Sequence, residues 1–264
     1  MEQQYVKYAN IASYLEQLAA PLKLGDVVPN FACDIWDGHC RKRIEDFHDW
    51  IDLNWTLFFS HPADFTPVCT TELARAAQLS KEFARLNTQL IGLSCDSIGA
   101  HQIWVKDVTA HGELSTMPFP LIADPSRKLA VVWGMLDPVK KSTNQLPVTC
   151  RAVFLIGPDK RLKWSALYPA TTGRNFDEIL RVVHSIQLTH VYDVETPVDW
   201  KVGDDCMIHP SVTDAQAVMK YPKGFRRTRL PSGLTYMGYT PCPGDIASDD
   251  RCKMIHAPNE VIRF

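Results

Sequence analysis

The sequence lacks the features that mark membrane, secreted or nucleic-acid-binding proteins. No apolar run in its 264 residues approaches the roughly 18 residues that a membrane-spanning helix needs. Residues 1–20 have no arginine and no continuous apolar stretch, which argues against a transit or signal peptide. Lys and Arg total 28 against 30 Asp and Glu, so there is no basic excess to attract nucleic acid. We therefore expect a cytoplasmic globular protein.

Cysteine is present, but not in the patterns of a disulfide scaffold or a zinc site. The eight cysteines include no C-x-x-C pair and no Cys/His spacing typical of a zinc finger. Most fit small buried hydrophobic residues in a reducing compartment, as for Cys95 and Cys150 beside apolar strands. No metal is therefore expected.

Alternating apolar strands and amphipathic helices predict an α/β fold. The expected architecture is a central mixed sheet flanked by helices and followed by a small C-terminal region. The predicted strands are 55–59, 90–94, 121–123, 152–156 and 162–167, and the predicted helices are 67–87, 100–109, 127–133 and 175–188. Beyond about residue 190, prolines punctuate short segments that include a predicted helix at 214–220 and a strand near 234–239. A further short helix is predicted near the start, from Ile11, Tyr14, Leu15 and Leu18.

Cys69 differs from the other cysteines in its surroundings. It lies between a buried strand and a long helix, where α/β folds bind ligands. Thr66 is a suitable N-cap and Pro67 then occupies N1, so Cys69 falls in the first helical turn. Unpaired backbone N–H groups and the helix dipole favour a thiolate there, which is the reactive form of cysteine. The spacing therefore indicates a nucleophilic cysteine rather than a buried structural thiol.

The segment around Cys69 resembles the active-site motif of the peroxiredoxins, P-x-x-x-T-x-x-C, and the sequence is most similar to their one-cysteine, peroxiredoxin 6-like subgroup. Motif residues and further matching segments are Pro62, Thr66, Cys69, 94–97, 118–125, 168–175 and 197–200. The resemblance implies a thioredoxin-like fold and a thiol peroxidase. It also implies four regions, which are an N-terminal extension (1–20), the peroxidase domain (21–189), a C-terminal dimerisation domain (190–243) and a C-terminal extension (244–264).

The resemblance assigns roles to six residues. Cys69 matches the peroxidatic cysteine, which forms a sulfenic acid, and Thr66 matches the threonine that hydrogen-bonds peroxide and thiolate. Pro62 matches the proline that shields the pocket, and Arg151 matches the arginine that reaches the thiolate. Glu72 matches an acidic residue that orients Arg151, although a solvated helix glutamate is an equal alternative. His61 matches a histidine near the pocket, where it tunes protonation or simply lines the wall.

The implied reaction reduces hydrogen peroxide and organic hydroperoxides for antioxidant defence, with no cofactor. An external thiol of the glutathione or thioredoxin type then reduces the Cys69 sulfenic acid. The resemblance also implies a homodimer. In two-cysteine relatives a resolving cysteine stands at the position of Thr196, so the usual partner is missing here. Whether Cys206, Cys242 or Cys252 replaces it stays open.

Two other functions compete with the peroxidase. Mammalian one-cysteine relatives carry a phospholipase A2 activity assigned to a serine, a histidine and an aspartate. Asp159 and His48 match the last two, but the serine position is Asn54, which cannot form an acyl intermediate. A G-x-S-x-G elbow is also absent. The third possibility is a chaperone or binding module in which Cys69 is inert. The complete set of Pro62, Thr66, Cys69 and Arg151 argues against this possibility.

Overall fold

The computed structural model describes residues 22–142 and 145–246. The predicted helix near residues 11–18, Cys252 and most of the predicted extension at 244–264 lie outside these residues. The chain divides into two compact units between Phe176 and Asp177, earlier than the boundary predicted after residue 189. Within the described residues, no helix is both long and apolar enough to cross a membrane.

The larger unit is built on a seven-stranded sheet that mixes parallel and antiparallel pairs. The strand order is β2-β1-β5-β4-β3-β8-β9, and β6 pairs with β7 in a separate ribbon. The strands are β1 (Cys33–Trp36), β2 (Arg41–Ile44), β3 (Trp55–Ser60), β4 (Thr88–Ser94), β5 (Leu121–Ala123), β6 (Leu136–Lys141), β7 (Pro147–Thr149), β8 (Arg151–Ile156) and β9 (Leu162–Tyr168). The parallel pairs are β3–β4 and β4–β5. The predicted mixed sheet is confirmed.

The helices up to residue 192 include those that the sequence predicts and one, at Phe47–Ile51, that it does not. They are α1 (Phe47–Ile51), α2 (Pro67–Gln78), α3 (Ser80–Arg85), α4 (Ile98–His111), α5 (Lys128–Val132) and α6 (Phe176–Tyr192). The single helix predicted over 67–87 is wrong in one respect, because Leu79 (φ −86°, ψ 0°) ends α2 and begins α3. Ser97 caps α4 by accepting a hydrogen bond from the Ala100 backbone, so this helix begins two residues before its predicted start at residue 100.

The central strands are buried on both faces, which explains their continuous apolar sequences. Every residue of β3 and β8 is buried. An aromatic cluster packs on one side of the sheet, where the rings of Phe58 and Trp133 meet edge to face at 4.6 Å between centroids. Strands β3 and β8 are antiparallel neighbours, so the end of β3 lies beside the start of β8. This pairing fixes the surroundings of the segment that follows β3.

The smaller unit contains most of α6 and a three-stranded antiparallel sheet. Its strands β10 (Cys206–Ile208), β11 (Arg226–Thr228) and β12 (Met237–Thr240) have the order β10-β12-β11. Helix α7 (Asp214–Lys220) begins at a capping box in which Thr213 and Gln216 satisfy each other's backbone N–H groups. The predicted helix at 214–220 is confirmed, and the strand predicted near 234–239 begins later, at Met237.

Candidate active site

Cys69 lies in the first turn of α2, as the sequence predicts. Thr66 is the N-cap residue (φ −115°, ψ 143°) and Pro67 is the first helical residue. The Thr66 hydroxyl does not cap the helix, because it donates a 2.9 Å hydrogen bond to the Ala63 carbonyl. That bond fixes the hydroxyl at the turn before the helix, where its oxygen lone pairs remain able to accept a hydrogen bond.

The loop between β3 and α2 contains a strained residue. Phe65 has a φ of 55°, which is uncommon for an aromatic residue, and its side chain is 54% exposed. Pro62, earlier in the same loop, is buried. In this loop the Phe65 ring is therefore exposed immediately before Thr66, whereas Pro62 is buried.

Arg151 is the charged group that reaches Cys69. It is the first residue of β8, and its Nη1 lies 3.4 Å from Cys69 Sγ. Both residues are buried, with Cys69 fully inaccessible and Arg151 2% exposed. The remaining donors of the guanidinium are fixed by the Ala170 carbonyl, which accepts from Nη2 at 2.6 Å and from Nε at 3.1 Å. A permanently charged donor is thus held against the sulfur.

Glu72, one turn after Cys69, is buried and accepts hydrogen bonds from two arginines. Its Oε2 accepts from Arg151 Nη1 at 2.6 Å and from Arg174 Nη2 at 2.8 Å. The alternative of a solvated glutamate is wrong, because the residue is only 3% exposed. Burial raises the pKa of the Glu72 carboxyl, but the charge of Arg174 and its hydrogen bonds, helped by Arg151, lower it on balance. Glu72 is therefore held ionised between the two guanidinium groups.

Arg174 is a site residue that the sequence did not single out. Its guanidinium lies 5.4 Å from the ring centroids of both Phe59 and Phe176, and its Nη1 donates to the Ala152 carbonyl at 2.8 Å. It lies in segment 168–175, which resembles the family, but that resemblance gave it no role. A buried Glu72 carboxylate requires positively charged partners, and Arg174 is one of them. The sequence alone does not show that Glu72 is buried, so it gave no reason to select Arg174.

His61 belongs to a second buried network centred on Asp64. The carboxylate of Asp64 lies 2.8 Å from His61 Nε2 and 2.6 Å from His101 Nδ1. The side chains of all three residues are fully buried. Burial raises the pKa of the Asp64 carboxyl, but hydrogen bonds from His101 and then His61 bring it down to about 2.

The two histidines of this network differ in their hydrogen-bond partners. His101 Nε2 lies 3.2 Å from the Ile122 carbonyl and Nδ1 faces the Asp64 carboxylate, so both ring nitrogens meet acceptors. His61 donates from Nε2 to Asp64, and its Nδ1 has no hydrogen-bond partner among the described residues. His61 thus keeps one unpaired ring nitrogen inside the protein.

The same network contains the donor atoms that come closest to a metal-binding group. Among the described residues, donor atoms of His61, Asp64 and Asp96 lie within 4.8 Å of one another. However, Asp96 Oδ2 already accepts from the Asp64 backbone N–H at 2.8 Å and from the Ser94 hydroxyl at 2.9 Å. These atoms therefore serve a hydrogen-bond network that connects the loop before α2 to the end of β4.

The residues considered for lipid hydrolysis each have local partners. His48 Nε2 bonds the Val28 carbonyl at 2.8 Å, and the Asn54 side chain donates to the Ile51 carbonyl at 3.3 Å. The Asp159 carboxylate accepts from Lys163 Nζ at 2.5 Å. No hydroxyl or thiol stands at position 54, so these residues form no acyl-transfer site.

Comparison with known proteins agrees with this geometry. Residues 24–165 match the family described as AhpC/TSA. The chain is 54% identical over 225 residues to Peroxiredoxin-6 of Mus musculus, which covers 84% of this chain and 98% of that protein. Peroxiredoxin-6 of Gallus gallus is 52% identical with the same coverage. Among solved structures, a cysteine-to-serine mutant of Peroxiredoxin 6 of Arenicola marina has a TM-score of 0.79 at 48% identity, covering 84% of this chain and 99% of that one.

A second structural neighbour is more distant in sequence. It is a yeast mitochondrial 1-Cys peroxiredoxin with a TM-score of 0.73 and 36% identity, covering 83% of this chain and 99% of that one. Its structure is described as the basis of a thiol resolving mechanism that operates through glutathione and thioredoxin systems. The predicted thioredoxin-like fold is thereby confirmed.

Proposed function

This chain belongs to the AhpC/TSA family of peroxiredoxins and is a thiol peroxidase, and we propose that Cys69 is the residue that reacts with peroxide. The observation that carries the proposal is the 3.4 Å contact between Cys69 Sγ and Arg151 Nη1 in the first turn of α2. It combines a nucleophile, a fixed positive charge and a helix N-terminus in one buried site.

The reaction follows from these groups. The Cys69 thiolate attacks the terminal oxygen of a hydroperoxide, an S–O bond forms and the O–O bond breaks. The departing alkoxide or hydroxide takes a proton and leaves as alcohol or water, while Cys69 becomes a sulfenic acid. Arg151 is the donor suited to the developing negative charge, while the Thr66 hydroxyl, which donates to the Ala63 carbonyl, can accept the hydrogen bond of the peroxide O–H. No cofactor is required, because the two electrons come from the sulfur.

We assign positioning roles to the neighbouring residues. Glu72 orients Arg151 through the 2.6 Å bond to Nη1, so that the guanidinium faces the sulfur. Pro62 shields the pocket from water as a buried part of the loop. His61 acts on the loop through Asp64, because the hydrogen bond that the structure records for its ring is to that carboxylate.

Recycling of the sulfenic acid is assigned to an external thiol. Thr196 stands where two-cysteine relatives have their resolving cysteine, and its hydroxyl shares a 2.6 Å hydrogen bond with the Ser185 hydroxyl. The yeast neighbour is described with glutathione and thioredoxin systems, and a reductant of that chemistry fits here. The seven cysteines in the described residues are free thiols, in keeping with a reducing, cytoplasmic compartment.

A homodimer is also part of the proposal. The C-terminal unit exposes large apolar side chains, with Val198 88% and Met219 84% accessible. A second copy of the chain would cover such residues and remove them from water. Light scattering coupled to size-exclusion chromatography tests this, and a monomer at micromolar concentration would contradict it.

Single-turnover kinetics test the assignment of Cys69. The reduced protein should consume one equivalent of hydrogen peroxide before any thiol is added, and Cys69→Ser should consume none while keeping its far-ultraviolet spectrum. Cys40→Ser is the matched control, since Cys40 is an exposed thiol in the same unit. Peroxide consumption by the Cys69→Ser variant at the wild-type rate would overturn the proposal.

A further inference from the structure

His101 is a buried histidine that links the loop before α2 to two other elements of the larger unit. It lies in α4, and its side chain is fully buried. Its Nδ1 lies 2.6 Å from Asp64 Oδ2 in the loop, and its Nε2 lies 3.2 Å from the Ile122 carbonyl in β5. Because a buried polar ring is costly unless it is hydrogen-bonded, these contacts connect the loop, α4 and β5 through one side chain.

Asp64 is the residue of the loop that His101 holds. Burial raises the pKa of the Asp64 carboxyl, but hydrogen bonds from His101 and His61 bring it down to about 2, so the group is ionised and only accepts hydrogen bonds. His101 therefore donates from Nδ1 at 2.6 Å, a shorter contact than the 2.8 Å from His61 Nε2. A hydrogen bond to an ionised acceptor is about twice as strong as a neutral one. Both oxygens of the carboxylate are thus fixed.

The position of the Thr66 hydroxyl depends on that of Asp64. The backbone N–H of Asp64 donates to Asp96 Oδ2 at 2.8 Å. The carbonyl of the same peptide group, that of Ala63, accepts from the Thr66 hydroxyl at 2.9 Å. Because a peptide group is planar, a rotation at Asp64 would move this carbonyl and the hydroxyl bound to it. Phe65, between the two residues, has a φ of 55°, a strained conformation that persists only when its surroundings hold it.

We propose that His101 is a positioning residue of the peroxidase, which acts through Asp64 to hold the Thr66 hydroxyl where it meets the peroxide. This inference rests on the roles proposed above for Cys69 and Thr66. The hydrogen bonds recorded for the His101 ring go to Asp64 and to the Ile122 carbonyl, so its effect on the reaction is indirect. A displacement of about 1 Å at a reacting group can cost about 10²-fold in rate, so loss of the bond to Asp64 should slow the reaction with peroxide.

Two amide variants separate the bond to Asp64 from the other contacts of the ring. In His101→Asn the amide nitrogen is attached to Cγ, as Nδ1 is in histidine, so it can still donate to Asp64. In His101→Gln the amide nitrogen lies one carbon further out, as Nε2 does, so it faces the Ile122 carbonyl and the bond to Asp64 is lost. The matched control is His111→Gln, because His111 is exposed in the last turn of the same helix.

The second-order rate constant of the reduced full-length protein with hydrogen peroxide is measured by stopped flow. His101→Gln should be slower than wild type by about 10²-fold, His101→Asn should recover most of that loss, and His111→Gln should show none. Alkylation of Cys69 by iodoacetamide should proceed at the wild-type rate in all of them, because Arg151 still contacts the sulfur and no peroxide O–H has to be bound. Equal losses of the peroxide rate in His101→Asn and His101→Gln would overturn the proposal. So would an equal loss of the alkylation rate, which indicates a general distortion of the site.

A double-variant cycle tests whether the effect passes through Thr66. Thr66→Val keeps the shape of the side chain but cannot accept a hydrogen bond from the peroxide. Adding His101→Gln to Thr66→Val should therefore slow the reaction little further, since the two losses are coupled. Losses that multiply would overturn the proposal. His101→Phe, which keeps a ring but donates no hydrogen bond, replaces His101→Gln in both tests if that variant does not fold.

Failure of the proposed function would give a different result. In that case Cys69→Ser would consume peroxide at the wild-type rate, whichever residue stands at position 101. Loss of activity in Cys69→Ser together with a wild-type rate in His101→Gln would overturn only the positioning role of His101.

Discussion

Arg174 binds Glu72 through three hydrogen bonds, from its backbone nitrogen at 2.7 Å, its Nε at 3.0 Å and its Nη2 at 2.8 Å. The glutamate thereby has a fixed position inside the protein and still accepts from Arg151. Arg174 touches no reacting atom in this arrangement. It acts through Glu72, which in turn orients the guanidinium beside Cys69.

Removing Arg174 should therefore destabilise the fold more than it alters the chemistry. Arg174→Met would leave the buried Glu72 charge with half of its partners, a change that typically costs about 3–5 kcal/mol. Urea unfolding measures this loss. The matched control is Arg85→Met, which removes the exposed partner of Glu82 and should cost at most about 1 kcal/mol. Equal losses of unfolding free energy in the two variants would show that the buried contacts between Arg174 and Glu72 stabilise the fold no more than an exposed ion pair does.

Arg151 should contribute chiefly to the rate of the first chemical step. Arg151→Met removes one donor to the developing charge, and losses of this kind slow a reaction by about 10²–10³-fold. Arg151→Lys keeps a charge but cannot contact Cys69, Glu72 and the Ala170 carbonyl together, so it should recover only part of the rate. Stopped-flow measurement of the second-order rate constant with peroxide distinguishes the variants. An unchanged second-order rate constant in Arg151→Met would show that Arg151 does not take part in the reaction with peroxide.

The sequence predicted the part of the site whose signals are local. A threonine cap, a proline at the first helical position and a cysteine two residues later identify the start of α2, and all three positions are confirmed. Arg174 is 102 residues from Glu72, and His101 is 37 residues from Asp64. No local pattern marks these residues, because their roles depend on which side chains the fold brings to the same buried place.

The same limit applies to the fold. The buried strands β3, β4 and β8 were predicted, because two covered faces give continuous apolar sequences. Strand β2 was missed, since its sequence RKRI is charged and mostly exposed at the edge of the sheet. Short strands such as β7, with three residues, give too few alternations for a pattern to be recognised.

Asp64 should make the protein sensitive to acid. Its folded-state pKa of about 2 lies below the ordinary value of 3.8, so its ionised form stabilises the folded state. This contribution is fully present above the ordinary value and is lost as pH falls from about 4 through about 2. The free energy of unfolding of wild type should exceed that of Asp64→Asn by a margin that shrinks across this range.

The control for this measurement is Asp107→Asn, because Asp107 is exposed on α4. Replacing this exposed side chain should change the free energy of unfolding by no more than about 0.5 kcal/mol. A margin for Asp64→Asn that does not change between pH 4 and pH 2 would contradict the assignment of Asp64 as an ion held by His101 and His61.

The catalytic cycle should need no second cysteine of this chain. Thr196 occupies the usual resolving position, and burial raises the pKa of Cys206 to about 12, so this thiol attacks slowly. One equivalent of peroxide, with no thiol added, should leave Cys69 as a sulfenic acid that reacts with dimedone. Wild type and a triple Cys206/Cys242/Cys252→Ser variant should give the same yield of the trapped product.

Peptide mapping without reductant tests this cycle, because it shows whether any disulfide contains Cys69. If wild type instead forms a stoichiometric disulfide at Cys69 and the triple variant accumulates sulfenic acid, the one-cysteine cycle is wrong. With no resolving cysteine at position 196, the Cys69 sulfenic acid must be reduced by an external thiol. Glutathione or reduced thioredoxin should therefore restore turnover equally in wild type and in the triple variant.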